Sequence, residues 1–521
     1  MDNTNTYQID SIKPFSKSLI WQLNRDYYQQ TGIEAWRDGT VPHNLTSNSM
    51  VGSTYAQLIF AFLKDLAAKG QSSEKVYILE MGAGHGRFAF HVIQHLERLV
   101  SQVGLDLPKY CYVISDIVEK NLNFFLEHPQ FQDFFEKGIL DVAYFDAVES
   151  TTIELRYAKS TILPQDLNQP VLVLANYFFD SLPMDLFYFK DKNIFTCSVS
   201  LDSSVNPEGM DTATLIKNIA TNYYNFPLEK PCYENPILNE ILEEYRELVF
   251  DTYLFFPTMG FKCIQNLQRL SKKGMMLISM DKGFHEIHEI ENSKQPDMIT
   301  HGSLSFWVNY HALGAYCEKH HGKALFPTYA SLHLELACLF FLPEPDTYYE
   351  TRVAYERVVN DFGPDDFNGM KEFAYKNYSK MNLLDVIGLV RLGAYDSTMF
   401  RNLLPHIKNL SKRITVNDRT RLAQTMHRVW EMYFTLNEDY DMAFDIGGVF
   451  YSLGYYKEAL NYFAHSVKQF GEKPDIFYNS ALCYYHLRQD DLFLKTVTEA
   501  KAAFPNYENF AHLDKLDLTA T

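Results

Sequence analysis

Residues 77–90 read YILEMGAGHGRFAF. An apolar run ends in Glu80, and three glycines follow at alternate positions, Gly82, Gly84 and Gly86. The run has the character of a strand, and RFAFHVIQHLERLV after it has apolar residues at helical spacing. Bare backbone at the junction lets a ligand approach without meeting a Cβ, and the start of the helix offers N–H groups to an anion. Two ligand classes use such a turn. A dinucleotide fingerprint is Gly-x-Gly-x-x-Gly. Here the spacing is Gly-x-Gly-x-Gly, and Arg87 stands where the third dinucleotide glycine would be. An acid directly before the glycines is a poor neighbour for a pyrophosphate. S-adenosyl-L-methionine (SAM) carries an α-ammonium group and no phosphate, so Glu80 suits it.

The stretches that follow keep alternating. YCYVISD (110–116) reads as a strand and VEKNLNFFLEH as a helix; GILDVAYFDA (138–147) contains a third strand, and VLVLANYFFDSLP (171–183) begins as a fourth. Short apolar strands separated by helices predict βαβ units and a Rossmann-like, doubly wound α/β domain. Strands apolar throughout predict a sheet covered on both faces. Polar groups fall at successive strand ends. Asp116 can accept the hydroxyls of a ribose, Asp146 can take an adenine amino group with Ala147 donating its N–H, and Asn176 stands at the mouth where open α/β sheets bind ligands. Any one of them alone reads as a turn or cap residue; together they predict a nucleoside site.

Residues 190–250 look like an insertion, with a helix around 236–250. KGMMLISMDKG (273–283) is a further strand, ending in Asp281. From about 346 the strand pattern stops. Two segments near the end align at a 34-residue offset, Gly447 over Ala481, Phe450 over Tyr484, Leu453 over Leu487, Phe463 over Val497 and Ser466 over Ala500, and Pro505 closes the second. That period matches tetratricopeptide (TPR) repeats, with a plain helical bundle as the alternative. The predicted division is a methyl-transfer-type domain over 1–345, a helical segment over 346–435 and TPR-like repeats over 436–521.

At this point the chain resembles a family. ExGxGxG (80–86), the acid at the second strand end, and Asp146-Ala147 are similar to class I SAM-dependent methyltransferases. ANYFFDSLP (175–183) resembles the N-E-F-F-D-A-L-P block of the MidA-type methyltransferases, which include the mitochondrial complex I assembly enzyme. LTSN (45–48) resembles that family's T-S-P segment, KGMMLISMDKG its strand ending in D-Y-G, and HGSLSFWVNYHAL its terminal T-a-H-V-d-F segment. The resemblance covers roughly 25–320. It implies SAM as cofactor, held by Glu80, Gly82, Gly84, Gly86, Asp116, Asp146, Ala147, Asn176 and Thr46. It also implies methylation of a protein side chain. Tyr177 stands where the family has Glu, and Asn48 where it has Pro.

The sulfonium is already activated, so the protein must align a nucleophile and manage its proton. Asp180 is the leading catalytic candidate, with Asn176 and Tyr177 shaping the pocket and Asp281 and His301 behind them. A helix N-cap is the alternative role for Asp180. HEIHE (285–289) lacks His-Glu-x-x-His spacing and reads as a solvated loop, so no metal is expected.

The formal charge is 47 − 65 = −18, which disfavours nucleic acid as a partner. Seven scattered cysteines without a Cys-x-x-Cys pair argue for reduced thiols and a cytoplasmic setting. The polar N-terminus and the lack of long apolar runs predict no membrane association. The leading expectation is a SAM-dependent methyltransferase whose TPR-like repeats recruit a protein substrate or partner. The alternatives are a non-catalytic scaffold, favoured by Tyr177, and an NAD-dependent oxidoreductase, disfavoured by the glycine spacing. The oligomeric state and the methyl acceptor are not legible.

Overall fold

A computed structural model describes residues 6–37, 45–291, 293–296, 299–301, 303–516 and 518. The chain divides into two compact units, Met1–Gly369 and Met370–Thr521.

The first unit is built on a nine-stranded sheet. Its strands are β1 (Val76–Met81), β2 (Tyr110–Asp116), β3 (Leu140–Tyr144), β4 (Ile153–Leu155), β5 (Ser160–Ile162), β6 (Val171–Asn176), β7 (Met275–Asp281), β8 (Lys323–Leu325) and β9 (Glu335–Phe341). The order across the sheet is β8-β9-β7-β6-β1-β2-β3-β4-β5. The five central strands, β7 to β3, run parallel, and the flanking strands are antiparallel. The sheet is therefore mixed where a parallel one is expected from the sequence. β4 and β5 are three-residue pieces joined by short connections, which permit only antiparallel neighbours. Central residues such as Ile78, Val113, Leu172 and Ile278 have almost no exposed surface, as a sheet covered on both faces requires.

From β1 the chain steps to β2 and β3 on one side, and later to β6 and β7 on the other. The reversal lies between β1 and β6, and a crevice opens there at the strand C-termini. Glu80 lies at the end of β1 and Asn176 at the end of β6.

The region read as an insertion folds as a second, antiparallel sheet of Tyr7–Pro14, Asp185–Lys190, Asn193–Ser203, Ile219–Pro227 and Thr252–Phe256. Its first strand comes from the N-terminus, where Tyr7 faces Ser203 and Pro14 faces Ser198. Beneath it Phe15, Trp21, Phe255 and Phe306 form an apolar cluster, with Phe15 edge-on to Trp21 at 5.5 Å and to Phe306 at 5.3 Å. This cluster seats helix α1 (Leu19–Thr31). Helix α2 (Ser49–Ala68) starts at Asn48, whose side chain accepts the Val51 N–H at 3.0 Å. The residue that replaces the family proline is thus an N-cap, a substitution with its own physical logic. Helix α3 (Arg87–Ser101) follows the glycine turn.

The first unit continues past the last strand. The buried Asp65 carboxylate on α2 accepts the N–H groups of Glu350 and Thr351 at 3.0 and 2.9 Å, holding helix Tyr349–Tyr355 against α2. The end of the strand pattern near 345 therefore falls inside this unit.

The second unit is helical. Helices α4 (Met442–Ser452), α5 (Tyr456–Phe470), α6 (Pro474–His486) and α7 (Asp490–Ala503) form two successive pairs. A Cβ on Gly447 would lie 2.6 Å from the Phe463 ring, so α4 and α5 approach as closely as they do because that position is bare. Hydrogen bonds join Tyr451 to His486 at 3.3 Å and Tyr478 to His512 at 3.1 Å, across 35 and 34 residues. Gly447→Leu should destabilise the second unit by about 2–3 kcal/mol through overpacking. Urea denaturation of the full chain, followed by circular dichroism, should show an earlier helical transition.

Candidate functional site

A cleft of about 350 Å³ opens at the reversal between β1 and β6, within the range of small-molecule sites. Thr46, Glu80, Gly82, Gly84, Asp116, Asp146, Ala147, Asn176, Tyr177 and Asp180 all line it. The structure thus brings together residues drawn from four strand ends and the segment before α2. Gly86 lies off the cleft. It precedes α3 with φ +75°, and a Cβ there would press on Phe125 and Phe131. Its bareness serves helix packing. Gly82 and Gly84 both have φ near +60°, a conformation costly for residues with a Cβ.

The carboxylates differ in how much of their bonding capacity is free. Glu80 is buried and accepts one hydrogen bond, from the Tyr112 hydroxyl at 2.9 Å. Burial raises its pKa to about 8, against the pull of Tyr112, and the neighbouring Asp116 adds to the rise. Asp116 accepts the N–H of Val118 at 2.8 Å, the N–H of Gly84 at 2.9 Å and the Asn121 amide at 3.3 Å. Burial brings it to about 6 in spite of these donors. The Asp116–Gly84 bond fixes the glycine turn to the end of β2.

Asp146 is paired. Arg25 on α1 reaches it at 2.5 Å, and the Val148 N–H bonds its other oxygen at 3.0 Å. Burial would raise its pKa, but Arg25 and the backbone donors hold it below the ordinary carboxylate value. Asp146 is therefore already engaged by Arg25, a partner 121 positions away that the sequence pattern does not show.

Asn176 accepts the Tyr55 hydroxyl through Oδ1 at 2.5 Å, while its Nδ2 has no partner among the described residues. It is a polar donor left open at the edge of the cleft. Tyr177 takes a left-handed conformation, φ +47°, and donates its N–H to the Met280 carbonyl at 3.1 Å.

Asp180 lies in the short 3-10 turn Phe179–Ser181. It is not the N-cap of a longer helix, because the chain continues into the strand Asp185–Lys190. Its side chain is buried, and its carboxylate oxygens accept no hydrogen bond from the described residues. Its N–H donates to Asp281 Oδ2 at 3.3 Å. Burial raises the Asp180 pKa to about 7, opposed by Lys282. Asp281, fully buried at the end of β7, is pushed well above the usual range by burial and by the adjacent Asp180 charge. Two carboxyl groups thus meet at the ends of β6 and β7 and resist ionising together.

HEIHE is not wholly solvated as the sequence suggests. His285 forms an ion pair with Glu335 on β9 and stacks on Phe326 at 4.9 Å. The polarity of the segment conceals this long-range contact. Among the described residues, no group of His, Cys, Asp or Glu side chains could hold a metal ion. No described helix is long and apolar enough to cross a membrane. All seven cysteines are free thiols.

The bare turn over Gly82 and Gly84, with an acid on its near side, fits a cationic nucleoside better than a dinucleotide. Residues 56–296, just under half of the chain, match the family model described as "Putative S-adenosyl-L-methionine-dependent methyltransferase". Two solved structures from Burkholderia thailandensis are similar. One, an uncharacterized protein, is 15% identical with a TM-score of 0.35, over 61% of this chain and 74% of that one. The other, described as a "likely methyl transferase" bound to S-adenosyl-homocysteine, is 13% identical with a TM-score of 0.39, over 65% and 90%. A 62-residue stretch is 42% identical to intraflagellar transport protein 70A of Danio rerio. That match covers 12% of this chain, which spans about a tenth of the relative's length.

Proposed function

We propose that the chain transfers the methyl group of SAM to a protein side chain, with Asp180 receiving the proton that the acceptor loses. The observation that carries this reading is Asp180 itself, a buried carboxyl on the cleft wall with unengaged oxygens and a pKa of about 7. A group poised there changes protonation state near neutral pH, as a general base requires. In this reading Glu80 faces the ammonium group, Asp116 the ribose, and Asp146 with Ala147 the adenine. Thr46 and the Asn176 amide complete the polar lining, and Tyr177 shapes the acceptor side. Asp180 and Asp281 supply acidity where Tyr177 replaces the family Glu, which favours an enzyme over a scaffold.

The helices of 436–521 act as TPR-like repeats that recruit the protein acceptor. The 34-residue sequence period and the Tyr–His bonds between residues 35 and 34 positions apart support this. The test is incubation of the full chain with methyl-tritiated SAM and a cell extract, followed by separation by size. Label in the protein fraction is expected. Label only in small molecules would overturn the protein acceptor and leave the methyl transfer standing.

Cofactor affinity should depend on pH through Glu80. With a pKa of about 8, Glu80 is mostly protonated at neutral pH in the free protein. An ammonium group beside it favours the carboxylate, so binding expels that proton. Affinity should therefore rise with pH, by up to about tenfold per unit below pH 8, and level off above. Calorimetry at pH 7 in buffers of different ionisation enthalpy should show release approaching one proton per SAM bound, lost in Glu80→Gln.

A further inference from the structure

The cleft has one wall that the family match does not supply. Trp21, Arg25, Tyr28 and Trp36 all line it and all precede residue 56. Trp36, in the turn Glu34–Arg37, lies directly on the glycine turn, so that a Cβ on Gly84 would be 2.8 Å from the indole. Tyr28 stacks against Trp36 at 5.7 Å with 19° between the planes. The Tyr28 hydroxyl donates to Ser303 Oγ at 2.9 Å, anchoring the stack to another lining residue of the cleft. His85 meets the indole edge-on at 5.9 Å. The indole is thus held by a backing ring rather than hanging loose over the opening.

Asp116 and Glu80 stand on either side of the Gly82–Gly84 turn. A ligand with its ribose at Asp116 and its ammonium at Glu80 would pass the Gly82–Gly84 turn beside the Trp36 indole with the atoms that join the two. In SAM the joining atoms include the sulfonium. In S-adenosylhomocysteine the same atom is a neutral thioether. Aromatic faces attract cations through the ring quadrupole, indole most strongly.

We infer that Trp36 is a specificity-determining residue that favours the sulfonium form of the cofactor over its demethylated product, with Tyr28 as its positioning residue. This rests on the reading of the cleft as the SAM site. Product release would follow from the same contact, because removing the methyl group removes the charge that the indole attracts.

The test is calorimetric titration of the full chain, wild type, Trp36→Ala and Trp36→Phe, with SAM and with S-adenosylhomocysteine, and needs no methyl acceptor. Thermal melts establish that each variant is folded. In the wild type SAM should bind the tighter of the two. Trp36→Ala should reduce that preference by about tenfold, and Trp36→Phe should keep part of it. Equal weakening of both ligands would make Trp36 a packing residue only and overturn the inference. So would an unchanged ratio. If neither ligand binds the folded wild type, the cofactor reading itself falls, an outcome distinct from a lost preference.

Discussion

Gly84→Arg is expected to abolish SAM binding while leaving a folded protein. Three effects add at this position. The backbone sits at φ +60°, where a residue with a Cβ costs about 1–2 kcal/mol. The new Cβ would fall 2.8 Å from the Trp36 indole, which must move. The guanidinium would then occupy the opening and bring a cation to the place where the ligand carries its own. Affinity should fall by at least about a hundredfold, roughly 3 kcal/mol. Calorimetry should show no measurable heat at ligand concentrations that saturate the wild type. The damage is local, because the position faces the cleft and not the sheet core. A modest drop in melting temperature is expected, with helical content unchanged. Binding at wild-type strength would show that the ligand does not cross this turn.

Asp180→Asn should separate chemistry from binding. The amide matches the carboxyl in shape, and its neutrality removes the desolvation that raises the Asp180 pKa. Folding should therefore be preserved or slightly improved. The amide cannot accept a proton, so kcat should fall by about 10²–10⁴, the range of general-base losses. SAM affinity should stay within about threefold of wild type, because the proposed role of Asp180 is toward the acceptor rather than the cofactor. The pH profile supplies an independent check. A general base at Asp180 would act in its ionised form, and burial raises this carboxyl to about 7, so the wild-type rate should climb as pH rises through 7 and then flatten. In the variant that limb should disappear. Residual activity with an unmoved limb would assign the base elsewhere.

Both variants rest on residues that the sequence exposes, and the reason is topological. In a doubly wound sheet every parallel strand ends at the same edge, so polar residues at strand C-termini converge whatever their separation along the chain. Glu80, Asp116, Asp146 and Asn176 each follow an apolar run, and periodicity alone brings them to one crevice. Other parts of the site lack such a signal. Trp36, Arg25 and Tyr28 sit in a segment of mixed pattern, and their placement depends on α1 packing under a second sheet. That sheet is invisible locally, because its N-terminal strand reads YQIDSIKP and finds its partner some 190 positions later. Arg25 changes what Asp146 can offer, and no spacing rule links the two. Gly86 misleads in the other direction: it completes the glycine pattern but serves the contact with Phe125. His285 looks solvated because its neighbours are polar, and Glu335, which pairs with it, lies 50 positions downstream. The sequence pattern therefore shows where strands end more readily than it shows what later covers them.

The pairing of Tyr7–Pro14 with Asn193–Ser203 bears on how the chain matures during synthesis. The first strand emerges from the ribosome long before its partner exists. Until residue 203 is made, Tyr7–Pro14 has no sheet to join, and α1 lacks the Phe255 and Phe306 that seat it. Ser303, which anchors the Tyr28–Trp36 stack, arrives later still. The glycine turn and its first parallel strands can be complete while the wall over them is still unattached. Contacts of such sequence separation close slowly, since loop entropy is lost before they reward it. A nascent chain made as far as residue 203 would carry the glycine motif and still lack a closed cleft.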